Sequence, residues 1–170
     1  MKENLVNIFL EEISNNLIKT SNNILKLRPL IGTLKLSQIQ LQKRIGHDAS
    51  TSGVIEIAEE KLNVCINGCL NLSAMVSNNN NENFLIEQYR KNVLHPLNGA
   101  MAILIVIQGS LKSNLSWLEG KVNTKNKLEY VSSIESIIKT TDMIWDLLNE
   151  QILESLTEEF NKLEETLGER

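Results

Sequence analysis

The sequence predicts an all-α protein, an antiparallel four-helix bundle built from two tandem helical hairpins. Three observations carry that expectation. Apolar residues recur at steps of three and four along four long segments, the stripe of an amphipathic helix. Only two prolines and eight glycines interrupt 170 residues. Similar text also occurs twice in the same order. Arg28-Pro29-Leu30-Ile31-Gly32 precedes Cys65-Ile66-Asn67-Gly68-Cys69-Leu70-Asn71-Leu72-Ser73, and His95-Pro96-Leu97-Asn98-Gly99 precedes Leu147-Leu148-Asn149-Glu150-Gln151-Ile152-Leu153. The prolines are offset by 67 (96 − 29) and the asparagines by 82 (149 − 67), so the second copy carries 15 more residues, placed in its tip loop. Two hairpins that each expose an apolar face pack on one another, whereas a solenoid needs more repeats.

The first helix is expected from Leu5 to about Arg44, with Leu5, Ile8, Phe9, Ile13, Leu17, Ile24, Leu27, Ile31, Leu34, Ile39 and Leu41 as its stripe. Pro29 lies inside it. A proline there removes one backbone hydrogen bond and crowds the preceding turn, so a kink rather than a stop is expected. Gly46 to Gly53 is a loop by its glycines and small polar residues, with Ser52 as candidate cap of the next helix. That helix runs from about Val54 to Val76, with Ile55, Ala58, Leu62, Cys65, Ile66, Cys69, Leu72 and Met75 on one side.

Ser77 to Asn83 is a polar linker, which divides the chain into a first hairpin (1–76), the linker (77–83) and a second hairpin (84–170). The third helix is expected over about Phe84 to Ser116, with Pro96 inside it and Gly99 and Gly109 as weak points. Gly120 to Lys127 forms the second tip. The fourth helix extends from Leu128 to about Leu167, striped by Ile134, Ile138, Ile144, Trp145, Leu148, Ile152, Leu156 and Leu163. Glu158, Glu159, Lys162, Glu164 and Glu165 are expected to be solvated.

Composition narrows the function. Hydrophobic residues at 42% and charged residues at 22% are those of a globular chain rather than a disordered one. A net charge of −4 argues against nucleic acid, which favours a basic surface. The start of the sequence lacks the apolar core of a signal peptide, and the longest apolar run, Ala100 to Ile107, is too short to span a bilayer. The expected location is therefore the cytoplasm. Cys65 and Cys69 are one helical turn apart, which disfavours a disulfide, and no histidine joins them at zinc-ligand spacing. They are expected as small buried hydrophobes. Glu11-Glu12 and Glu59-Glu60 face different ways, and Glu150 with Glu154 lacks a spaced histidine for a di-iron site. No cofactor or metal is expected.

His95-Pro96-Leu97-Asn98-Gly99-Ala100 resembles the second half of the H-box of the dimerisation and histidine-phosphotransfer domain of sensor histidine kinases. Residues Tyr130 to Glu154 resemble that domain's second helix, and Cys65 to Ser73 is similar to the same segment. The resemblance covers about Ser21 to Met75 and Gln88 to Leu156, as two degenerate tandem copies. It implies a bundle made from one chain where the family uses two. The family's phosphoacceptor stands five residues before the proline, which falls on Ile24 and Lys91, and its acidic neighbour falls on Leu25 and Asn92. An aliphatic chain has no nucleophile, and lysine is ordinarily protonated. With nothing similar to the kinase's ATP-binding boxes, autokinase activity is not expected.

The resemblance therefore implies a non-enzymatic adaptor or inhibitor that binds a response-regulator receiver domain or a sensor kinase. Arg90, Lys91, Asn92, His95 and Asn98 would supply the contact face, with the region Ile24 to Gly32 as its counterpart in the first copy. His95 is also the candidate phosphoacceptor of an alternative, a histidine phosphotransferase. It equally fits an exposed residue before a proline, where regular packing is disfavoured. A further alternative is a structural bundle that pairs with itself as a homodimer. His47 beside Asp48 reads as plain surface. Trp145 is expected in the core, and Trp117 near a partner surface.

Overall fold

A computed structural model of the chain describes residues 2–45, 52–76, 78, 81–120 and 127–168. All the described segments except the short stretch before residue 82 and the turn at 26–27 are helical, and among the described residues there is no strand. The expectations for His47, for residues 77, 79 and 80 of the Ser77–Asn83 linker and for residues 121–126 of the second tip loop lie outside the described residues; Glu82 and Asn83, expected in the linker, already belong to a helix.

The first segment is two helices, α1 (Lys2–Leu25) and α2 (Arg28–Ile45), separated by a turn. The Leu27 N–H donates to the Ile24 carbonyl at 3.0 Å, tightening the end of α1, and the Ile31 N–H donates to the Leu27 carbonyl at 3.0 Å, opening α2. The expected kink is thus a break. Pro29 is the second residue of α2, where a backbone N–H has no intrahelical partner to lose, so the proline starts a helix instead of bending one.

The second segment is α3 (Ser52–Val76). The third is α4 (Glu82–Tyr89), a π-helical turn (Arg90–Leu94) and α5 (His95–Gly120). Asn81 caps α4, its side chain accepting from the Phe84 N–H at 3.2 Å. Here the proline stays within continuous helix. The His95 N–H donates to the Arg90 carbonyl, five residues back, so the chain absorbs Pro96 through a wider turn. Pro96 has no N–H to offer the carbonyl of Asn92 four residues earlier. The fourth segment is α6 (Lys127–Leu148), a second π-helical turn (Asn149–Leu153) and α7 (Glu154–Gly168). No proline signals this second π turn, and the sequence gives no other sign of it.

The helices close a ring. α1 and α2 pack on α3, α3 on α4 and α5, α5 on α6, α4 on α7, and α2 returns to α6. Neighbours run antiparallel, as paired contacts show. Ser14 Oγ donates to the Ser73 carbonyl at 3.1 Å, Arg28 donates to Asn63 at 3.0 Å, and Lys35 pairs with Glu59, so numbers rise along one segment as they fall along the next. The ring encloses one core that includes Ile13, Leu17, Leu34, Leu62, Leu97 and Ile144. α3 packs against α1 and α2 on one side and against α4, the π turn and α5 on the other.

Most of the expected stripes are inside, including Cys65 and Cys69, which are free and buried. The exceptions are Leu5, Ile8, Ile39 and Met75, which are exposed. Phe9, Ile138 and Trp145 are only partly buried, packed against the core.

At Gly68 the backbone of α3 comes close to that of the third segment. A Cβ there would overlap the backbone carbonyl of Asn92 in the π turn. That carbonyl, deprived of its donor by Pro96, is turned toward α3, and only glycine leaves room for it. Gly68→Ala should therefore unfold at lower denaturant, losing about 1–3 kcal/mol through overpacking against backbone. Gly32→Ala, where a Cβ meets no neighbour within 4 Å, should hold or gain up to about 1 kcal/mol. Equal midpoints for the two variants would remove the close approach from the account.

Gln38 is 3% exposed, and neither atom of its amide has a hydrogen-bond partner among the described residues. Burying an unpaired amide is costly, so Gln38→Leu is expected to raise the urea midpoint, by about 1–3 kcal/mol in stability. A lower midpoint would show that the amide is paired in solution.

Candidate partner-docking face

The five residues named from the sequence lie within about two turns of the third segment, but the structure does not aim them one way. Lys91, His95 and Asn98 are exposed on the outward side. Arg90 leans toward α7, where its guanidinium meets Glu164 at 2.5 Å and lies 5.3 Å from the centre of the Phe160 ring. An exposed ion pair of this kind contributes on the order of 0–1 kcal/mol. Its main consequence here is to hold Arg90 on the α4–α7 seam. Asn92 leans the other way. It is half-buried, its carbonyl against Gly68 and its side chain donating to Gln88. The expected contact face therefore reduces to Lys91, His95 and Asn98, with Arg90 and Asn92 joining it to the helices on either side.

Two surface features extend this stripe. Toward the C-terminal end it continues into Ala102, Ile105 and Val106, with Ile105 53% and Val106 62% exposed. No charged residue occurs from Val93 to Leu111. The rod Glu82–Gly120 is by length and composition alone apolar enough to cross a membrane, and 39% of the apolar window is buried in the bundle. On the α3 side lies an open groove of about 260 Å³, lined by Asn67, Asn71, Gln88 and Asn92 together with Val64, Gly68, Leu72 and Met75. Four carboxamides and no charge make it a surface for hydrogen bonding, without a group that would activate a nucleophile. The counterpart region in the first copy, Ile24 to Gly32, has Ile24, Leu27 and Ile31 buried, while Arg28 and Pro29 are exposed.

The groups with perturbed protonation lie elsewhere. Tyr89 is 0% exposed and donates to Glu159 Oε1 at 2.9 Å and to the Leu156 carbonyl at 3.3 Å. Asn16 of α1 donates to the other carboxylate oxygen of Glu159 at 2.8 Å. One carboxylate thus ties α1, α4 and α7. The expectation of a solvated Glu159 is corrected: it is 8% exposed, because α7 continues to bury Leu156, Phe160, Leu163 and Leu167 and carries Glu159 in with them. Burial raises the Glu159 pKa above its ordinary value, and the bonds from Asn16 and Tyr89 and the charge of Lys162 oppose that rise. Burial, then the Glu159 charge, push the Tyr89 phenol up, so it stays a donor. The hydrogen bond with Cys69, followed by burial, raises Cys65 and keeps that thiol protonated.

Among the described residues no three His, Cys, Asp or Glu side chains converge as a metal site. His95 stands exposed, with Lys91 one turn before it. Helical spacing carried a signal for the burial of Glu159, since it stands three residues after Leu156 and four before Leu163, on the apolar stripe itself; its hydrogen-bond partners are brought together only by the position of α7 against α1 and α4.

Protein-family models, curated proteins and solved structures, when compared with this chain, give no match. The likeness to the histidine-phosphotransfer domain stands on the sequence motifs alone.

The raised Glu159 pKa has a definite sign for stability. A carboxyl with a higher pKa folded than unfolded contributes stability that is fully present below the unfolded value and lost as pH rises through the folded one. Glu159→Gln, neutral at every pH, should remove that loss. Its stability relative to wild type should improve on going from pH 4 to pH 7, read from urea midpoints at each pH. Parallel pH profiles for the two proteins would mean that Glu159 titrates as it does in the unfolded chain.

Proposed function

We propose that this chain is a non-enzymatic adaptor or inhibitor of two-component signalling, working in the cytoplasm. It docks a response-regulator receiver domain or a sensor kinase on the outward stripe of the third segment. The observation that carries the proposal is that stripe. Lys91, His95 and Asn98 lead into an uncharged, exposed apolar stretch on a chain of net charge −4, beside an amide-lined groove between two helices. A polar rim around an apolar centre is the anatomy of a protein interface. The resemblance supplies the partner class, since the family's hairpin offers a receiver domain a groove between two helices. Replacement of the phosphoacceptor by Lys91 and Ile24 removes the chemistry and leaves the surface.

A second reading has one supporting observation, the exposure of His95. A receiver's acyl phosphate could pass its phosphoryl group to that imidazole, making the chain a histidine phosphotransferase. It requires acid-labile phosphate that His95→Ala abolishes and His47→Ala retains.

The test of the adaptor reading is affinity capture from the native host, wild type beside a Lys91→Glu/His95→Ala/Asn98→Ala variant. Arg90 is kept because it belongs to the α4–α7 seam. A receiver-domain protein or sensor kinase recovered with wild type and reduced at least about tenfold with the variant is the expected result, equivalent to about 1.4 kcal/mol or more of docking energy. Recovery of such a partner equally with both proteins would move the docking face elsewhere. Recovery of neither class would end the two-component reading.

A further inference from the structure

We infer that the bundle is hinged across its middle. The half formed by α1, α4 and α7 tilts against the half formed by α2, α5 and α6, and α3 is the spine that runs unbroken through both. The inference does not rest on the adaptor reading.

The first observation is that three of the four segments leave regular α-helix at one level. The first segment breaks at Lys26–Leu27, the third has its π turn at Arg90–Leu94, and the fourth has its own at Asn149–Leu153. Contacts with α3 place the first two. Arg28, which opens α2, donates to Asn63, and the Asn92 carbonyl lies against Gly68. Those α3 positions are five residues apart (68 − 63), about 8 Å of helix rise. Tyr89 places the third. It precedes one π turn, and its hydroxyl reaches the carbonyl of Leu156, three residues beyond the other (156 − 153). The third segment as a whole runs 39 residues, about 60 Å, so the departures occupy a narrow band of the bundle.

The second observation is what such turns permit. A regular helix is held stiff by its own ladder of hydrogen bonds, whereas a break or a π turn absorbs changes of backbone angle locally. One of them bends one helix. Three at the same level let three helices bend together, as side-by-side packing requires. α3 has no break there, and Gly68, where backbone meets backbone, is the pivot.

The third observation is how the ties are distributed. Glu159 of α7 joins Asn16 of α1 and Tyr89 of α4, all in one half. In the other half Lys35 pairs with Glu59, and α6 packs on both α2 and α5. The band between them is filled by apolar groups, with Cys65, Cys69, Val93, Leu97 and Leu148 buried, and apolar contact is non-directional. Lys91 lies within the π turn and Asn98 beyond it in α5, so tilting the halves reorients one against the other.

Double electron–electron resonance on the full chain tests this, with nitroxides attached through a genetically encoded ketone residue so that Cys65 and Cys69 stay in place. Glu11 with Glu135, and Ser113 with Glu165, span the band. Ala74 with Asn161, and Glu60 with Lys139, each lie within one half, and all eight positions are exposed. A tilt of about 20° acting across a bundle radius of about 10 Å moves a spanning pair by about 3–4 Å. Spanning pairs should therefore give distributions broader by that amount than pairs within a half. Pro96→Ala returns a donor to the third segment and should narrow the spanning distributions, with circular dichroism reporting an intact bundle. Spanning pairs as narrow as the others overturn the inference, as do pairs within a half as broad as those that span. Spanning distributions left unchanged by Pro96→Ala overturn the assignment of the π turn to the hinge.

Discussion

The carbonyl of Asn92 pressed against Gly68 sets the arrangement of the bundle. It begins with a covalent fact, that Pro96 cannot donate a hydrogen bond, so the Asn92 carbonyl lacks the donor that a regular helix would place four residues on. The segment responds with a π turn over Arg90–Leu94, and the carbonyl turns toward α3. A side chain at position 68 would hold α3 away from the π turn. With glycine there, α3 comes into close contact with both α1 and the third segment, and the ring closes around a single core. Consecutive helical positions project about 100° apart, so Arg90 and Asn92 fall to either side of Lys91, which with His95 is exposed.

A second tie operates at the opposite seam. Glu159 accepts from Asn16 and Tyr89, so one buried carboxylate fixes α7 against α1 and α4. Apolar faces slide with little change in energy, whereas a buried acid with two donors has one satisfied position. The burial that raises its pKa is the cost of that specificity, and the two donors offset part of it. The Tyr89 ring, 5.4 Å from Phe160, continues into Arg90 over the same ring and on to Glu164. The polar tie and the edge of the outward stripe are thus adjacent parts of one structure.

The outward side of α5 concentrates what the rest of the bundle does not use. Its small, aliphatic and uncharged residues have no role in the core, and its exposed glycine has none in the fold. A receiver or kinase docked at its start, as proposed, would use His95 and Asn98 there.

The sequence by itself determined the helical class, the four long segments and most of the core, because periods of three and four are a property of one helix and need no neighbour to be read. It also marked the sites of both departures from regular helix in the proline-bearing segments, since the missing donor of Pro29 and of Pro96 is written in the residue type. Only the tertiary structure decided what each proline does. Pro29 opens a new helix after a break, and Pro96 sits beyond a π turn, because the third segment has α3 and Gly68 to receive its freed carbonyl. The π turn at Asn149–Leu153 left no sign in the sequence, and although Glu159 stands on the apolar stripe between Leu156 and Leu163, its partners Asn16 and Tyr89 depend on which surface lies opposite. Of the five site residues read from the sequence, helical position placed three together. Arg90 and Asn92 stand one position to either side of Lys91, about 100° away around the helix, so local pattern alone takes them off the stripe. What meets them there, Glu164 for Arg90 and Gly68 for the Asn92 carbonyl, only the tertiary structure decided, because those contacts join residues far apart in the chain.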